Sequence, residues 1–312
     1  MAQKHSFSEN LEKISDSEQP FSTGALYALS NMEPENQAQF EKAWPGIDLE
    51  RRRRTVTALT ELAEDDIELN FSSALLFMVG DSDPQVRGKA IEGLWEDESR
   101  EVLARLLTTL SSDPDDTVRE KAALGLSRFA YRAELGRLTE RWVNRLREAL
   151  LAQCGEQMKS VHIGRRAIEA LGYFGNDEQI IRLIQQAYES DDELLRASAL
   201  KAMGRSINKR WLPEVGQSMS NSDPSLRYEA ATAAGEMGSE ELLLPLLTLT
   251  KDPDQEVQLA AIWALGQVGG QEAGRALKQI AGSENETLAQ AAQDALAEVS
   301  FASNPLNVLR ND

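Results

Sequence analysis

Residues 256–270 read EVQLAAIWALGQVGG, an aliphatic run with one tryptophan set in it. Taken alone it is an apolar helix with Trp263 in its core. Placed in register with the rest of the chain it reads differently. With Arg87 of PQVRGKAIEGLWE (84–96) as the reference, the equivalent positions are Arg52, Arg87, Arg119, Gly164, Arg196, Arg227, Gln258 and Ala289, spaced 35, 32, 45, 32, 31, 31 and 31 residues apart. Three residues after each of the last seven stands alanine: Ala90, Ala122, Ala167, Ala199, Ala230, Ala261 and Ala292. A constant column at a near-fixed period is the mark of a repeat architecture.

The neighbouring columns define the unit. One residue before the reference stand Val86, Val118, Ile163, Leu195, Leu226, Val257 and Leu288; seven after it stand Leu94, Leu126, Leu171, Met203, Ala234, Leu265 and Leu296. At about 100° per residue these columns fall within one arc of an amphipathic α-helix. Four residues before the reference, Asp83, Asp115, Ser160, Asp192, Asp223, Asp254 and Asn285 are all N-cap residue types, and Pro84 and Pro224 follow at the first helical position. Between these helices lie second apolar segments such as REVLARLLTTL, DEQIIRLIQQAYES and EELLLPLLTLT. Each unit is therefore a pair of antiparallel helices, and a pair this short buries both apolar faces only by stacking on its neighbours. The expected fold is all-α: an α-solenoid superhelix of about eight helix pairs, occupying residues 20–300 as one domain. The 45-residue step holds LTERWVNRLREALLAQCGEQ (138–157), expected as a lengthened first helix. The polar segment 1–19 and the tail 301–312 are expected to be loosely ordered.

The segments VRGKAIEGL, VREKAALGL, LRASALKAMG, LRYEAATAAGEMG and VQLAAIWALGQVGG resemble the HEAT-like repeat family, in the short form of the phycobilisome lyase subunits. The resemblance covers roughly residues 50–300 and rests on packing and capping residues, so it speaks to fold far more than to function. It implies that the second helix of each pair lines a concave surface.

Positions one, five and nine after the reference lie opposite the apolar arc. Trp263, at position five, is thus expected to face away from the core of its own unit. The same stripe holds Gly88, Glu92 and Glu96; Glu120, Leu124 and Arg128; Arg165, Glu169 and Tyr173; Ala197, Lys201 and Arg205; Tyr228, Thr232 and Glu236; Leu259, Trp263 and Gln267; and Gln290, Asp294 and Glu298. Aromatic residues beside arginine are the composition of a binding hot spot. The expected partner-binding residues are Arg128, Arg165, Tyr173, Lys201, Arg205, Tyr228, Leu259 and Trp263: the aromatics supply contact area and the cations orient an acidic segment of a partner protein. The alternative for Trp263 is cover by superhelical curvature or the next unit.

Two arginine features read first as structure. The reference arginines lie at the edge of the apolar arc near the capping Asp, which suggests an Arg–Asp ladder between neighbouring units; the alternative is an anionic ligand. RRRR (51–54) opens a helix against its dipole, so it needs compensation, either from EDD (64–66) or the acidic N-terminal segment, or from an acidic partner or phosphate.

Composition narrows the function classes. Lys and Arg number 33 against 51 Asp and Glu, a net charge of −18, which opposes nucleic acid as a partner. The start of the chain lacks the apolar centre of a signal peptide and no run of about 18 apolar residues occurs, so membrane insertion is not expected and a cytoplasmic location is. One cysteine, Cys154, and two histidines, His5 and His162, cannot assemble a Cys/His zinc site or an internal disulfide. Cys154 reads as a small buried apolar residue, and His162 as structural. No phosphate loop, paired-His motif or nucleophile elbow is present, so no catalytic residue, metal or cofactor is expected. GQVGG ends a repeat helix, where glycine is a normal stop. Among enzymes built on such repeats, iron hydroxylases carry His-Glu pairs, which do not occur here. The leading expectation is a non-enzymatic adaptor that binds a protein partner in a helix-lined groove. The alternatives are a bilin lyase subunit or chromophore chaperone, and a nucleic-acid or DNA-repair solenoid.

Overall fold

Each repeat helix begins where its cap residue begins it. In the computed structural model, which describes residues 6–303, the Asp83, Asp115, Asp192 and Asp254 carboxylates accept from the N–H three residues on, at 3.1–3.3 Å. Asp223 accepts from Ser225 N and Asn285 from Leu288 N. Ser160 makes no such bond. Among the described residues the chain forms eighteen α-helices and no strand. Its contacts divide it into two compact units, Met1–Phe129 with Glu140–Ala149, and Ala130–Thr139 with Leu150–Asp312. Residues 1–5 and 304–312, and with them His5 and most of the expected tail, lie outside the described residues.

The first unit runs through α1 (Phe7–Ser15), α2 (Thr23–Leu26), α3 (Pro34–Ala43), α4 (Leu49–Asp65), α5 (Ser72–Met78), α6 (Pro84–Gly93), α7 (Arg100–Ser112) and the larger parts of α8 (Asp116–Glu134) and α9 (Glu140–Leu151). α4 packs on α6, and α5 on α6, and Phe40, Trp44, Phe71 and Phe129 are among the largest buried side chains of the unit. The segment expected to be loose contains α1, closed by a Ser6/Glu9 capping box and burying Leu11 and Ile14. The expected long helix at 138–157 is the twelve-residue α9 followed by turns. The extra length of this repeat lies instead in the nineteen-residue α8 and in the connection 152–160.

The second unit continues with α10 (Val161–Leu171), α11 (Glu178–Tyr188), α12 (Glu193–Ser206), α13 (Leu212–Ser218), α14 (Pro224–Met237), α15 (Leu243–Leu249), α16 (Gln255–Val268), α17 (Gly270–Ala281) and α18 (Glu286–Ser303). The even-numbered helices pack side by side in chain order, and α11, α13, α15 and α17 each back the helix that follows. This is α-solenoid packing. The alanine column is fully buried from Ala90 to Ala292. Neighbouring even-numbered helices meet at a second column, eight residues after the reference: a Cβ placed on Gly204 would stand 2.7 Å from Ala233 Cα, and one on Gly235 2.9 Å from Ala264 Cα. Only glycine permits helix backbones to approach so closely.

Arginine joins the repeats through a different aspartate from the capping one. Arg227 donates to the Asn221 and Ser222 carbonyls of its own loop and, through Nε and Nη2, to both oxygens of Asp252 in the next loop at 2.7 and 2.8 Å. Asp252 in turn accepts from Asp254 N, so it braces the loop that ends in the next cap. Arg87 and Asp113 repeat this arrangement. Where the next loop carries Asn221 instead of aspartate, Arg196 turns back to Glu193 at 3.8 Å.

The four arginines at 51–54 are each engaged, but not by residues 64–66. Buried Arg51 donates to the carbonyls of Lys13, Ile14, Asp16 and Gln19 at the end of α1. Arg52 pairs with Asp81 and Arg53 with Asp83, while Arg54 lies over the Phe21 ring at 4.6 Å. Compensation comes from carbonyls at a helix C-terminus and from the next loop, which the local charge pattern does not reveal.

Candidate partner-binding site

Seven of the eight expected binding residues stand in the second unit. Arg165 is on α10, Tyr173 just beyond it, Lys201 and Arg205 on α12, Tyr228 on α14, and Leu259 and Trp263 on α16. Three of them, Arg165, Lys201 and Tyr228, line one groove of about 490 Å³. Its apolar wall is Leu194, Ala197, Pro224 and Val257, with Leu194 44% and Tyr228 39% exposed. Arg166, Glu169, Ser198 and Glu229 form the polar floor, and Asp254 and Glu256 stand at one edge.

That floor is held by a carboxylate expected to face solvent. Glu169 is buried. Its Oε1 accepts from Ser198 Oγ at 2.7 Å and from Arg166 Nη1 at 3.1 Å, and lies 3.7 Å from Arg165 Nη1. The Arg205 guanidinium donates to its backbone carbonyl at 2.9 Å and lies over the Tyr173 ring at 5.2 Å. A buried carboxylate needs such a set of partners. Two further carboxyls are raised above the ordinary glutamate value. Burial is the main cause for Glu229, with Glu169 adding to it and Lys201 and Arg205 opposing it; burial likewise raises Glu236 against Arg205 and Lys201. Burial also raises the Tyr173 phenol, whose ring meets Tyr131 at 5.4 Å between centroids. Much of the positive charge expected to meet an acidic partner is therefore matched by glutamates within the unit.

Arg128 stands apart from the other seven. It belongs to the first unit, where its Nη2 donates to the carbonyls of Leu94 and Asp97 and Nη1 to that of Gly125. Burial pulls its pKa down to about 10. It stitches a loop and is half-buried. Gly88, in the same expected stripe, is buried beneath Lys121.

Trp263 is 38% exposed. Its inner edge lies on the preceding helix, because a Cβ on Gly235 would meet the indole Cζ3 at 2.4 Å. The repeat before it thus covers part of the ring. Leu259 is half-buried beside it on α16. Sequence reasoning placed Glu169 in the stripe without assigning it to the site, and did not single out Leu194, Arg166, Ser198 and Glu229, which line the same groove. The i, i+3 and i, i+4 spacing of Arg166 and Arg165 to Glu169 was the available signal; burial of Glu169 came from α12 packing against α10.

Cys154 is buried, with its thiol donating to the Leu150 carbonyl at 3.4 Å and pushed up to about 12 by burial. His162 is exposed on the first turn of α10. Among the described residues no group of three or more His, Cys, Asp or Glu is placed to hold a metal ion, and no helix is long and apolar enough to cross a membrane.

Comparison with solved structures finds similar helical arrays. One chain of the complex of CpcE and CpcF of phycocyanin lyase from Nostoc sp. PCC7120 aligns over 91% of this chain and 99% of its own, at 19% identity and a TM-score of 0.53. Importin beta aligns over 94% of this chain and 46% of its own, at 14% identity and a TM-score of 0.50. At these identities the likeness is one of fold. Comparison with the sequences of curated proteins finds no match. The family model for HEAT repeats matches residues 72–158 and 212–297, more than half of the chain. The chain belongs to the HEAT-repeat family.

Proposed function

We propose that the chain is an interaction scaffold whose second unit receives an apolar side chain of a protein partner in the groove between Leu194 and Tyr228. The observation that carries this reading is the pairing of two exposed apolar side chains with a polar floor already held by internal ion pairs. Such a groove gains affinity by burying apolar area without having to neutralise its own floor. Leu259 and Trp263 extend the contact along α16. Of the expected cations, Arg165 and Lys201 remain at the groove to orient an acidic group of the partner, a smaller role than four unmatched cations would have. Cytoplasmic adaptors fit this chemistry.

A photo-crosslinking residue placed at Leu194 or Tyr228, and for comparison at Leu244, which is 72% exposed on α15, tests the reading in the source cells. One discrete protein adduct from the first two positions and none from Leu244 is the expected result. Equal adducts from all three would remove the groove as the site.

A second reading is favoured by the likeness to a phycocyanin lyase complex: a lyase subunit or chromophore chaperone. A shift in the visible absorbance of a bilin on mixing with the protein is its expected sign, and an unchanged spectrum ends it.

A further inference from the structure

The first unit carries a different exposed feature. Ile67, in the turn between α4 and α5, is 91% exposed, and Trp95, in the turn after α6, is 57% exposed. Both line one cavity of about 380 Å³ whose inner wall includes Phe71 and Leu75. Trp95 stands eight residues after Arg87, the position where repeats of the second unit carry the glycine that lets helices close up. Here α6 ends at Gly93 and the indole is left at the surface. Large apolar side chains displayed together at the mouth of a pocket mark an interaction site.

Charge selects the occupant. No Lys or Arg stands between Arg54 and Arg87, or between Lys89 and Arg100. Around Ile67 the chain carries Glu61, Glu64, Asp65, Asp66 and Glu68, and after Trp95 it carries Glu96, Asp97 and Glu98. Asp66 and Asp97 are used locally, accepting from Glu68 N at 2.9 Å and Ser99 N at 2.8 Å. Glu98 faces Arg128, and Glu61, Glu64, Asp65, Glu68 and Glu96 are exposed. A pair of exposed apolar side chains rimmed by carboxylates attracts a cationic segment over distance and selects within it for an apolar residue.

We propose that this pocket docks a basic segment of a partner protein, with one aliphatic side chain entering between Ile67 and Trp95 and flanking lysines or arginines facing Glu64, Asp65 and Glu96. The site is separate from the groove of the second unit and does not depend on that reading.

The test uses the full chain and a fluorescein-labelled oligolysine peptide bearing one central leucine, compared with the same peptide bearing serine, by fluorescence anisotropy at moderate salt. The expected result is tighter binding of the leucine peptide by about tenfold, the worth of burying one aliphatic side chain. Trp95→Ser and Ile67→Ser should each reduce that preference, while Leu244→Ser leaves it unchanged. Ile67 is almost wholly exposed, so its variant keeps the test valid even if Trp95→Ser folds poorly. Equal binding of the two peptides, or a leucine preference that survives both variants, would overturn the proposal by reducing the attraction to bulk charge. So would Trp95-dependent self-association of the chain without peptide, which would make the occupant a second copy.

Discussion

The Trp263 indole rests on Gly235, one repeat earlier, so tightly that a single added methyl group would stand 2.4 Å from its ring. The residue is therefore shared between packing and display. Trp263→Ala should cost about 1–2 kcal/mol in a urea unfolding experiment, short of the about 3–5 kcal/mol of a fully buried aromatic. Gly235→Ala should cost a similar about 1–3 kcal/mol by overpacking, since Ala264 Cα lies 2.9 Å from the new Cβ and is backbone that must move.

The Arg227–Asp252 pair predicts a stability that depends on the next repeat. Both side chains are largely buried, and the Arg227 guanidinium holds the Asp252 carboxyl below its ordinary value of 3.8. A depressed carboxyl stabilises the fold above the unfolded value and loses that contribution as pH falls through the folded one. Asp252→Asn should lower stability by about 2 kcal/mol at neutral pH, and the difference from wild type should shrink in melts below pH 3.8.

Glu229 predicts the opposite slope. Its carboxyl is raised above 4.5, chiefly by burial, so its contribution is intact below 4.5 and is lost as pH rises through the folded value. Glu229→Gln should melt higher than wild type at pH 8, with the gain vanishing near pH 4. A gain that is constant across this range would mean that charge on Glu229 is not its source.

Cys154 should be inert in the folded chain. With its thiol pushed up to about 12, no thiolate is present at pH 8, and the buried sulfur is shielded. Ellman's reagent should titrate about one thiol only after denaturation. Rapid reaction of the native protein would show the connection 152–160 to open on that timescale.

The sequence by itself determined the architecture, because caps, the alanine column and paired apolar faces are local and recur. Asp83, Asp223 and Asp254 cap in register, and every alanine of the column is buried, as any helix with that spacing requires. Only the tertiary structure decided what lies at the edge of those faces. Position five points outward on an isolated helix, yet Glu169 is buried and part of Trp263 is covered, because close packing of even-numbered helices lets each neighbour reach around the side. Arg128 was expected to meet a partner and Arg51 to be compensated by acidic groups, because their acceptors are backbone carbonyls, which are invisible in composition. Trp95 stays exposed because α6 stops two residues before it, at a loop end that periodicity does not locate. Columns report the direction of a side chain on its own helix, and burial depends on the distance to the next one.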